Sequence, residues 1–196
     1  MPLNVLLLGP QGAGKGTQAK RIEAEYGLPH IATGDILRAA MAAGTPLGLI
    51  VKPIYDAGEL VPDDLMIALI RERLSQDDAQ AGFVLDGFPR TMAQAEALDT
   101  MLAEIGRDLD VVLELQVSDE KTLIDRMLKR AVEENRSDDT PESMRRRLDL
   151  YYRETQPLVE YYRSTRNNVV GIHASGTVAE VFAEVQQALE QVEARA

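Results

Sequence analysis

A glycine-rich segment near the start of the chain is the feature that most limits what this protein can fold into. It runs from Gly9 to Thr17 as Gly-Pro-Gln-Gly-Ala-Gly-Lys-Gly-Thr, after a short apolar run and before a helical pattern. Glycines let the backbone turn so that successive N–H groups point at an anion, and the following helix adds the positive end of its dipole. Lys15 adds a full charge that can follow phosphate oxygens. The segment therefore predicts a phosphate-binding loop whose contact residues are Gly12, Ala13, Gly14, Lys15, Gly16 and Thr17.

Short apolar runs alternate with longer amphipathic stretches along the chain, a pattern typical of βα units around a parallel sheet. The candidate strands are Val5–Leu8, His30–Ala32, Phe83–Asp86, Val111–Val117 and Val169–His173. Helices are predicted over Lys15–Tyr26 and Thr91–Ile105, and after a capping box formed by Thr177 and Glu180. We expect an α/β fold of the P-loop NTPase type, with a doubly wound, parallel five-stranded sheet in a single domain over residues 1–196.

Two segments do not fit as simple crossovers between strands. Residues 33–60 are mostly helical in pattern but are interrupted by glycines and prolines, which predicts a small helical insertion. Ala131–Thr140 is polar and lacks an apolar period, which predicts an exposed excursion before a helix that begins at Thr140-Pro141. Pro157 is predicted to kink or split the helical pattern over Met144–Ser164.

Composition limits the partners and the compartment. The 196 residues include 21 Lys and Arg against 32 Asp and Glu, a net charge of −11, so the chain is not expected to bind nucleic acid or anionic membranes. No cysteine occurs, which excludes disulfides and thiolate metal sites. The apolar run Asn4–Gly9 is too short for a signal sequence and no 18 apolar residues run together. We expect a soluble, cytoplasmic protein.

A carboxylate at the end of a strand is a candidate for magnesium. Asp86 closes the apolar run Phe83–Asp86, and it would hold Mg²⁺ through water because that ion gives up its hydration reluctantly. In the strict form of the phosphate-loop motif, a Ser or Thr directly after the lysine ligates the metal. Gly16 intervenes here, so Thr17 is the weaker candidate for the same role.

Four motifs together resemble those of adenylate kinases, the enzymes that interconvert ATP plus AMP and two ADP. They lie at residues 9–18, at 32–38 (Ala-Thr-Gly-Asp-Ile-Leu-Arg), at 86–91 (Asp-Gly-Phe-Pro-Arg-Thr) and at 136–140 (Arg-Ser-Asp-Asp-Thr). The Lys-Gly-Thr order is similar to that family's own form of the loop, and the Asn-Lys-x-Asp segment with which GTPases read guanine does not occur. The resemblance covers essentially the whole chain. It implies reversible transfer of the terminal phosphoryl group of MgATP to AMP.

Arginines are the second feature that this chemistry needs. Two polyanions must approach each other, and fixed cations reduce their repulsion, while the attacking phosphate oxygen is already anionic and needs no general base. Eight basic residues fall between positions 126 and 153. Among them, Arg145, Arg146 and Arg153 are expected on a solvated helix face.

The resemblance assigns roles to the other arginines. It implies that Arg126 and Arg130 serve the ATP side and the transferring phosphoryl group, and that Arg136 and Arg147 bridge that group to the AMP phosphate. Arg90 and Arg38 match the family's clamps on the AMP phosphate. The implied catalytic set is Lys15, Arg90, Arg126, Arg130, Arg136 and Arg147.

The resemblance also implies an acceptor site and two mobile segments. The AMP-site residues are Thr33, Arg38, Glu59, Leu60, Val61, Gly87, Phe88, Pro89, Arg90 and Gln94, with Arg136 and Arg147. An amide such as that of Gln94 offers a donor and an acceptor side by side, which suits the adenine edge. Thr33 favours adenylate kinases over the related uridylate/cytidylate kinases, which tend to have Ala there. Gly176 is implied to contact the ATP adenine through its backbone, residues 33–62 to form the AMP-binding insertion, and residues 131–136 to form a short lid without structural zinc.

Two other functions stay open at this point. One is a kinase for another monophosphate or small acceptor, and the other is a nucleotide-sensing protein without catalysis. The expected ligands are ATP, AMP and ADP, the expected cofactor is Mg²⁺, and the expected state is a monomer. His30 and His173 lie at predicted strand ends and are expected to be structural.

Overall fold

The computed structural model describes residues 3–136 and 138–194, and these residues form a five-stranded sheet in which every recorded pair of strands is parallel. The predicted domain over residues 1–196 includes five residues outside the described part of the chain, namely Met1, Pro2, Ser137, Arg195 and Ala196. The strands are β1 (Leu3–Leu8), β2 (His30–Ala32), β3 (Gly82–Asp86), β4 (Val111–Gln116) and β5 (Val169–His173). They lie side by side in the order β2-β3-β1-β4-β5. All five match the predicted strands to within two residues at either end.

The central strands are covered on both faces, as their continuous apolar sequence requires. All six residues of β1 are buried. The register places Leu7 of β1 opposite Asp86 of β3, and Ala32 of β2 opposite the same Asp86. The carboxyl ends of these three strands therefore meet at one edge of the sheet, where the phosphate-loop segment leaves β1.

Helices connect the strands and begin where the capping sequences predict. Their bounds are α1 (Lys15–Tyr26), α2 (Thr33–Ala42), α3 (Pro46–Asp56), α4 (Asp63–Leu74), α5 (Met92–Glu104), α6 (Glu120–Glu133), α7 (Pro141–Leu150), α8 (Pro157–Arg166) and α9 (Val178–Glu193). Reciprocal capping boxes start α7 at Thr140 and α9 at Thr177. A short 3₁₀ helix spans Asp77–Ala81, and a π-helical turn spans Tyr151–Thr155.

Two apolar cores lie on opposite faces of the sheet, so the predicted doubly wound α/β fold is confirmed. One core packs α1, α6, α7 and α9 against the sheet. The other packs α2, α3, α4, α5 and α8 against the opposite face. The split predicted at Pro157 is also confirmed, because the π-helical turn separates α7 from α8 and the two helices pack into different cores.

The segment between β2 and β3 contains α2, α3 and α4. Helices α2 and α3 approach closely at Gly48, where an added Cβ would lie 2.1 Å from the Ala40 carbonyl oxygen. The Thr45 hydroxyl caps α3 by accepting from the Gly48 amide at 3.1 Å. The absence of a side chain at Gly48 thus allows a tight helical pair beside the sheet edge.

The prediction of an exposed excursion over Ala131–Thr140 is wrong at both ends of that segment. Helix α6 continues to Glu133, because Ala131 packs against the core and extends the helical stripe. Asp138 and Asp139 are buried. Their polarity does not mean exposure here, since both carboxylates pair with arginine.

Within the described residues, the helices are individually too short or too polar to cross a membrane, and only α2 and α3 taken together, with a 115° bend between them, reach the required length and apolar content.

Candidate active site

One cavity of about 780 Å³ opens at the carboxyl edge of the sheet. The loop after β1, helices α2 and α3, the loop after β3, helices α6 and α7, and the loop after β5 all contribute to its lining. The structure brings all of the predicted site residues to this cavity except Phe88. The side chain of Phe88 is 1% exposed and belongs to the apolar core. The ring of Phe88 is taken up by core packing, so only its backbone is available to the cavity, and its place in the AMP site stays a prediction.

The phosphate-loop segment turns through glycines that no other residue could replace without strain. Gly12 and Gly14 adopt positive φ angles of 85° and 94°. A Cβ at Gly12 would also lie 2.5 Å from the Leu123 carbonyl oxygen. Gly14 is the N-cap of α1, and no side chain caps the helix there. Since the first amides of a helix have no acceptor within it, this end of α1 can donate to an anion.

Lys15 folds back onto the same loop. Its ammonium donates to the carbonyl oxygens of Gly9 at 2.7 Å and Pro10 at 3.0 Å. Burial lowers the pKa of Lys15 to about 8; the Asp86 carboxylate opposes this change, and the charges of Arg90 and Arg130 add to it. The lysine is thus a cation short of negative partners, and a bound polyanion would stabilise its charge.

Asp86 is the acidic residue whose charge raises the pKa of Lys15. Burial alone would raise the pKa of Asp86, but the nearby His30 imidazole and the charge of Lys15 outweigh it and hold the pKa below its ordinary value. The His30 Nε2 and Asp86 Oδ2 atoms are 3.6 Å apart. His30 therefore has a structural position beside the carboxylate, as expected from the sequence.

The residues present fit a magnesium ion that keeps most of its water. Asp86 supplies an ionised oxygen donor at the cavity wall, and the exposed Thr17 also lines the cavity. Among residues 3–136 and 138–194, no group of three or more His, Cys, Asp or Glu residues is arranged to hold a metal. Such a site suits Mg²⁺, which is commonly bound by one or two carboxylates together with waters and phosphate oxygens.

The two predicted donor-side arginines reach the cavity from α6. Arg126 donates to the carbonyl oxygen of Ala174 at 2.9 Å, so it connects α6 to the loop after β5. Arg130 donates to Asp139 Oδ2 from two nitrogens, at 2.7 and 3.2 Å. Gly176, predicted on the adenine side, lines the same cavity.

Two buried carboxylates hold Arg147 of α7 in place. Arg147 donates to Asp138 Oδ2 at 2.8 Å and also to Asp139 Oδ1. The Asp139 side chain is completely buried and serves both Arg130 and Arg147. Arg136 also lines the cavity and pairs with Glu134. The segment after α6 thus carries acids that hold the cavity's cations in place.

The loop after β3 supplies the predicted acceptor clamp. Arg90 donates from Nε to the Gly87 carbonyl oxygen at 2.8 Å, which turns its guanidinium back over the loop. Gly87 has a φ of 87°, and a Cβ there would lie 2.5 Å from the Thr33 hydroxyl. Arg38 lines the cavity from α2 and is paired with Asp35.

The predicted base-reading residues occupy one wall of the cavity. Gln94 is buried, accepts from the Arg90 amide at 2.8 Å and donates to Asp63 Oδ1 at 2.7 Å. One N–H and one lone pair of its amide remain for a ligand, because a primary amide carries two of each. The Thr33 hydroxyl donates to the Asp86 carbonyl oxygen at 3.4 Å. Glu59, Leu60 and Val61 line the cavity next to α3.

Contacts with α7 hold the α2–α3 segment beside the cavity. A Cβ at Gly58 would lie 2.8 Å from the Ser143 carbonyl oxygen, so the backbones approach closely there. Glu59 pairs with Arg146, and Arg147 donates to the Tyr55 carbonyl oxygen at 3.1 Å. Arg145 and Arg153 are exposed, as expected for a solvated helix face, whereas Arg146 is half-exposed in its ion pair with Glu59.

The sequence analysis missed the residues that hold the arginines and the glutamine. Tyr55, Asp63, Asp138 and Asp139 contact predicted site residues, although none was predicted to have a role. Only the Asp-Asp pair at 138–139 carried a sequence signal, since adjacent acids beside an arginine-rich run are available to pair with it. Tyr55 and Asp63 carried none, because their contacts join distant parts of the chain.

Comparison with known proteins gives one consistent result. The sequence pattern of the adenylate kinase family matches residues 7–167. A protein named Adenylate kinase from Caulobacter vibrioides (strain NA1000 / CB15N) is 50% identical over 192 residues, which cover 98% of this chain and 100% of that protein. Proteins of the same name from Thermobifida fusca (strain YX) and Stenotrophomonas maltophilia (strain R551-3) are 49% and 45% identical, and each match covers 95% of this chain and at least 98% of the relative.

The shared carboxylate of Asp139 yields a prediction about stability. Asp139→Asn removes the carboxylate that Arg130 contacts and one of the two that Arg147 contacts, and we expect the free energy of unfolding to fall by about 3 kcal/mol. The measurement is urea unfolding followed by circular dichroism. Asp149→Asn, at an exposed position of the same α7, is the matched control and should change the value by less than about 0.5 kcal/mol. Equal effects of the two substitutions would show that the buried pairs do not stabilise the fold.

Proposed function

The chain belongs to the adenylate kinase family and phosphorylates AMP, and from this premise we propose that the cavity at the carboxyl edge of its sheet binds ATP and AMP together and transfers a phosphoryl group reversibly between them. The phosphate-binding loop would hold the donor phosphates. Arg38 and Arg90 would hold the acceptor phosphate. Two ADP molecules would leave after transfer in the forward direction.

The observation that carries this proposal is the convergence of cations from three separate elements. Lys15 comes from the loop before α1, Arg90 from the loop after β3 and Arg130 from α6. The charges of both arginines act on the pKa of Lys15, so the three groups face a common volume. A protein that sensed one nucleotide would not need cations arranged around a second phosphate, which argues against the non-catalytic alternative.

The mechanism that we propose is positioning and charge neutralisation. Lys15 follows the oxygens of the phosphoryl group as it leaves ATP, and Arg130 and Arg147 stabilise the charge that spreads over those oxygens. The acceptor phosphate of AMP is already an anion near neutral pH, so no side chain has to remove a proton. The arginines exchange their Asp138 and Asp139 partners for phosphate oxygens when the nucleotides bind.

We further propose that residues 33–62 and 131–136 close over the two nucleotides. Closure excludes water, which would otherwise compete with AMP as the acceptor and waste ATP. The contacts of Gly58 and Glu59 with α7 give the first segment a surface on which to seat. The second segment begins within the last turn of α6 and carries Arg136.

Magnesium would be held by Asp86 through water, with Thr17 close to the phosphates. When bound, Mg²⁺ neutralises part of the phosphate charge. The ionised state of Asp86, maintained by His30 and Lys15, supports this assignment.

Acceptor recognition is proposed for Thr33, Gln94 and the backbone of residues 59–61. The remaining amide groups of Gln94 suit the adenine edge, and its orientation is fixed by the hydrogen bond that it donates to Asp63 and the one that it accepts from the Arg90 amide. The loop with Gly176 is proposed to contact the ATP adenine.

We propose that the protein acts as a cytoplasmic monomer. The chain contains no cysteine, which fits a reducing compartment. In the described part of the chain, its large exposed apolar side chains are distributed over α3, α5 and the residue after it, α6, the π-helical turn and α9.

Acceptor preference is the direct test of this function. With ATP at a fixed concentration, we expect ADP to form fastest with AMP and far more slowly with CMP, UMP or GMP, because Thr33 and Gln94 face the base. Chelation of Mg²⁺ should reduce the rate sharply. A preference for another monophosphate would transfer the assignment to that acceptor, and nucleotide binding without ADP formation would support the sensing alternative.

Removal of the Lys15 charge should cost most of the activity. We expect Lys15→Met to lower kcat by about 10²–10³-fold, the loss found when one preorganised electrostatic group is removed. Lys52→Met is the matched control, since Lys52 is exposed on α3 and pairs only with Asp56 on the same helix at 2.8 Å. Both variants should keep the wild-type circular dichroism spectrum. Near-normal turnover of Lys15→Met would refute the role given to the lysine.

The lowered pKa of Lys15 predicts how ATP binding depends on pH. The ammonium of the free protein is charged below pH 8 and loses its proton as the pH rises through about 8. ATP favours the charged form, so its affinity should be constant below that pH and fall above it, by up to about tenfold per pH unit. Calorimetry in buffers of different ionisation enthalpy measures both the affinity and the protons taken up. Lys15→Arg keeps its charge and should remove most of the slope, and an unchanged slope in this variant would contradict the assignment.

A further inference from the structure

Tyr55 is a cavity residue that neither the motifs nor the proposed mechanism uses. It lies near the end of α3 and lines the cavity beside the predicted acceptor clamp. Its hydroxyl reaches α2, where a Cβ added at Gly34 would lie 3.3 Å from the hydroxyl oxygen. The small residue at 34 therefore leaves room for the phenol between the two helices.

The hydroxyl of Tyr55 accepts one hydrogen bond, and its own proton is available to donate another. Arg38 Nη1 donates to the hydroxyl oxygen. A guanidinium is only a donor, so the tyrosine must be the acceptor in this contact and its own proton points elsewhere. Within residues 3–136 and 138–194, no hydrogen bond from that hydroxyl to a protein acceptor is recorded. A donor polarised by an adjacent cation is thus free to meet a ligand.

The ring and the backbone of Tyr55 contact a second arginine. The Arg147 guanidinium carbon lies 5.1 Å from the centre of the Tyr55 ring, within the range of a cation–π contact. Arg147 also donates to the Tyr55 carbonyl oxygen at 3.1 Å. The same residue therefore holds Arg38 from α2 and Arg147 from α7.

A third arginine faces the same phenol. Arg90 lines the cavity together with Arg38, Arg147 and Tyr55, so the three guanidiniums and the phenol border a common space. Burial lowers the pKa of Arg90, and the charges of Arg147 and Arg38 add to this change. Three guanidiniums beside one neutral donor form a site for a dianion, since Arg38 and Arg147 can add a phosphate oxygen to the carboxylates that they already contact.

We propose that Tyr55 is a further ligand of the acceptor phosphate, donating its hydroxyl proton to a phosphate oxygen that Arg38, Arg90 and Arg147 surround. This inference rests on the proposed function, because it takes the phosphate of a nucleoside monophosphate as the anion. The ring of Tyr55 has a second, positioning role: it orients Arg147 toward that phosphate. The ligand class is a phosphate monoester, and the contact does not involve the base.

The test separates the hydroxyl from the ring. Tyr55→Phe keeps the ring against Arg147 and removes only the donor, so we expect the KM and the dissociation constant for AMP to rise about tenfold, as for one hydrogen bond to a charged group. The KM for ATP should stay within about twofold, and kcat should change less than the KM for AMP. Tyr55→Leu also removes the ring, and a further loss in kcat is expected because Arg147 is no longer oriented. Tyr152→Phe, at an exposed position outside the cavity, is the matched control.

Adenosine shows whether the phosphate is the group that is contacted. It lacks the phosphate, so Tyr55→Phe should leave the dissociation constant for adenosine unchanged while weakening that for AMP. An equal weakening of both, or an unchanged affinity for AMP, would overturn the proposal, as would an effect seen only in Tyr55→Leu. The wild-type protein is assayed in parallel. If it forms no ADP from AMP, the proposed function fails, whereas normal wild-type turnover with an unaltered Tyr55→Phe variant defeats only the role of Tyr55.

Discussion

Three lysines and seven arginines line one cavity, and their mutual repulsion has to be offset. The fold offsets it with a few acids: Asp86 beside Lys15, the exposed Asp35 beside Arg38, and the buried Asp138 and Asp139 beside Arg130 and Arg147. These acids are fewer than the cations. The resulting excess of positive charge inside a chain with a net charge of −11 is what makes the cavity a site for polyanions.

In the proposed mechanism, the ion pairs that offset these cations also affect how tightly nucleotides bind. An arginine that already donates to a carboxylate gives up one charged partner when it turns to a phosphate, so the change in free energy is smaller than a new contact would provide. Moderate affinity of this kind suits a reversible reaction whose products must leave. The acids that pair with these arginines would therefore also limit how tightly the products bind.

The sequence predicts the sheet and the phosphate loop because both depend on local patterns. Five apolar runs became the five strands, and the loop from Gly9 to Thr17 lies where a strand meets a helix. Residues that act through distant contacts were not predictable in this way. Asp63 meets Gln94 across 31 residues, and Tyr55 meets Arg147 across 92, and no periodicity records such pairs. The polar segment after Arg130 was misjudged because pairing with arginine, rather than water, satisfies Asp138 and Asp139.

The π-helical turn at Tyr151–Thr155 has a consequence for the whole molecule. The Gln156 amide donates to the Tyr151 carbonyl oxygen five residues back, at 2.8 Å, so the backbone accommodates one residue more than an α-helical turn. One residue corresponds to about 100° of rotation around a helix axis. Without this extra residue, the apolar face of α8 with Leu158 and Tyr162 would be rotated away from the sheet when Arg147 of α7 points to the cavity. One extra residue thus lets two nearly continuous helices pack on opposite faces of the sheet, with Arg147 of α7 lining the cavity and Leu158 and Tyr162 of α8 buried in the second core.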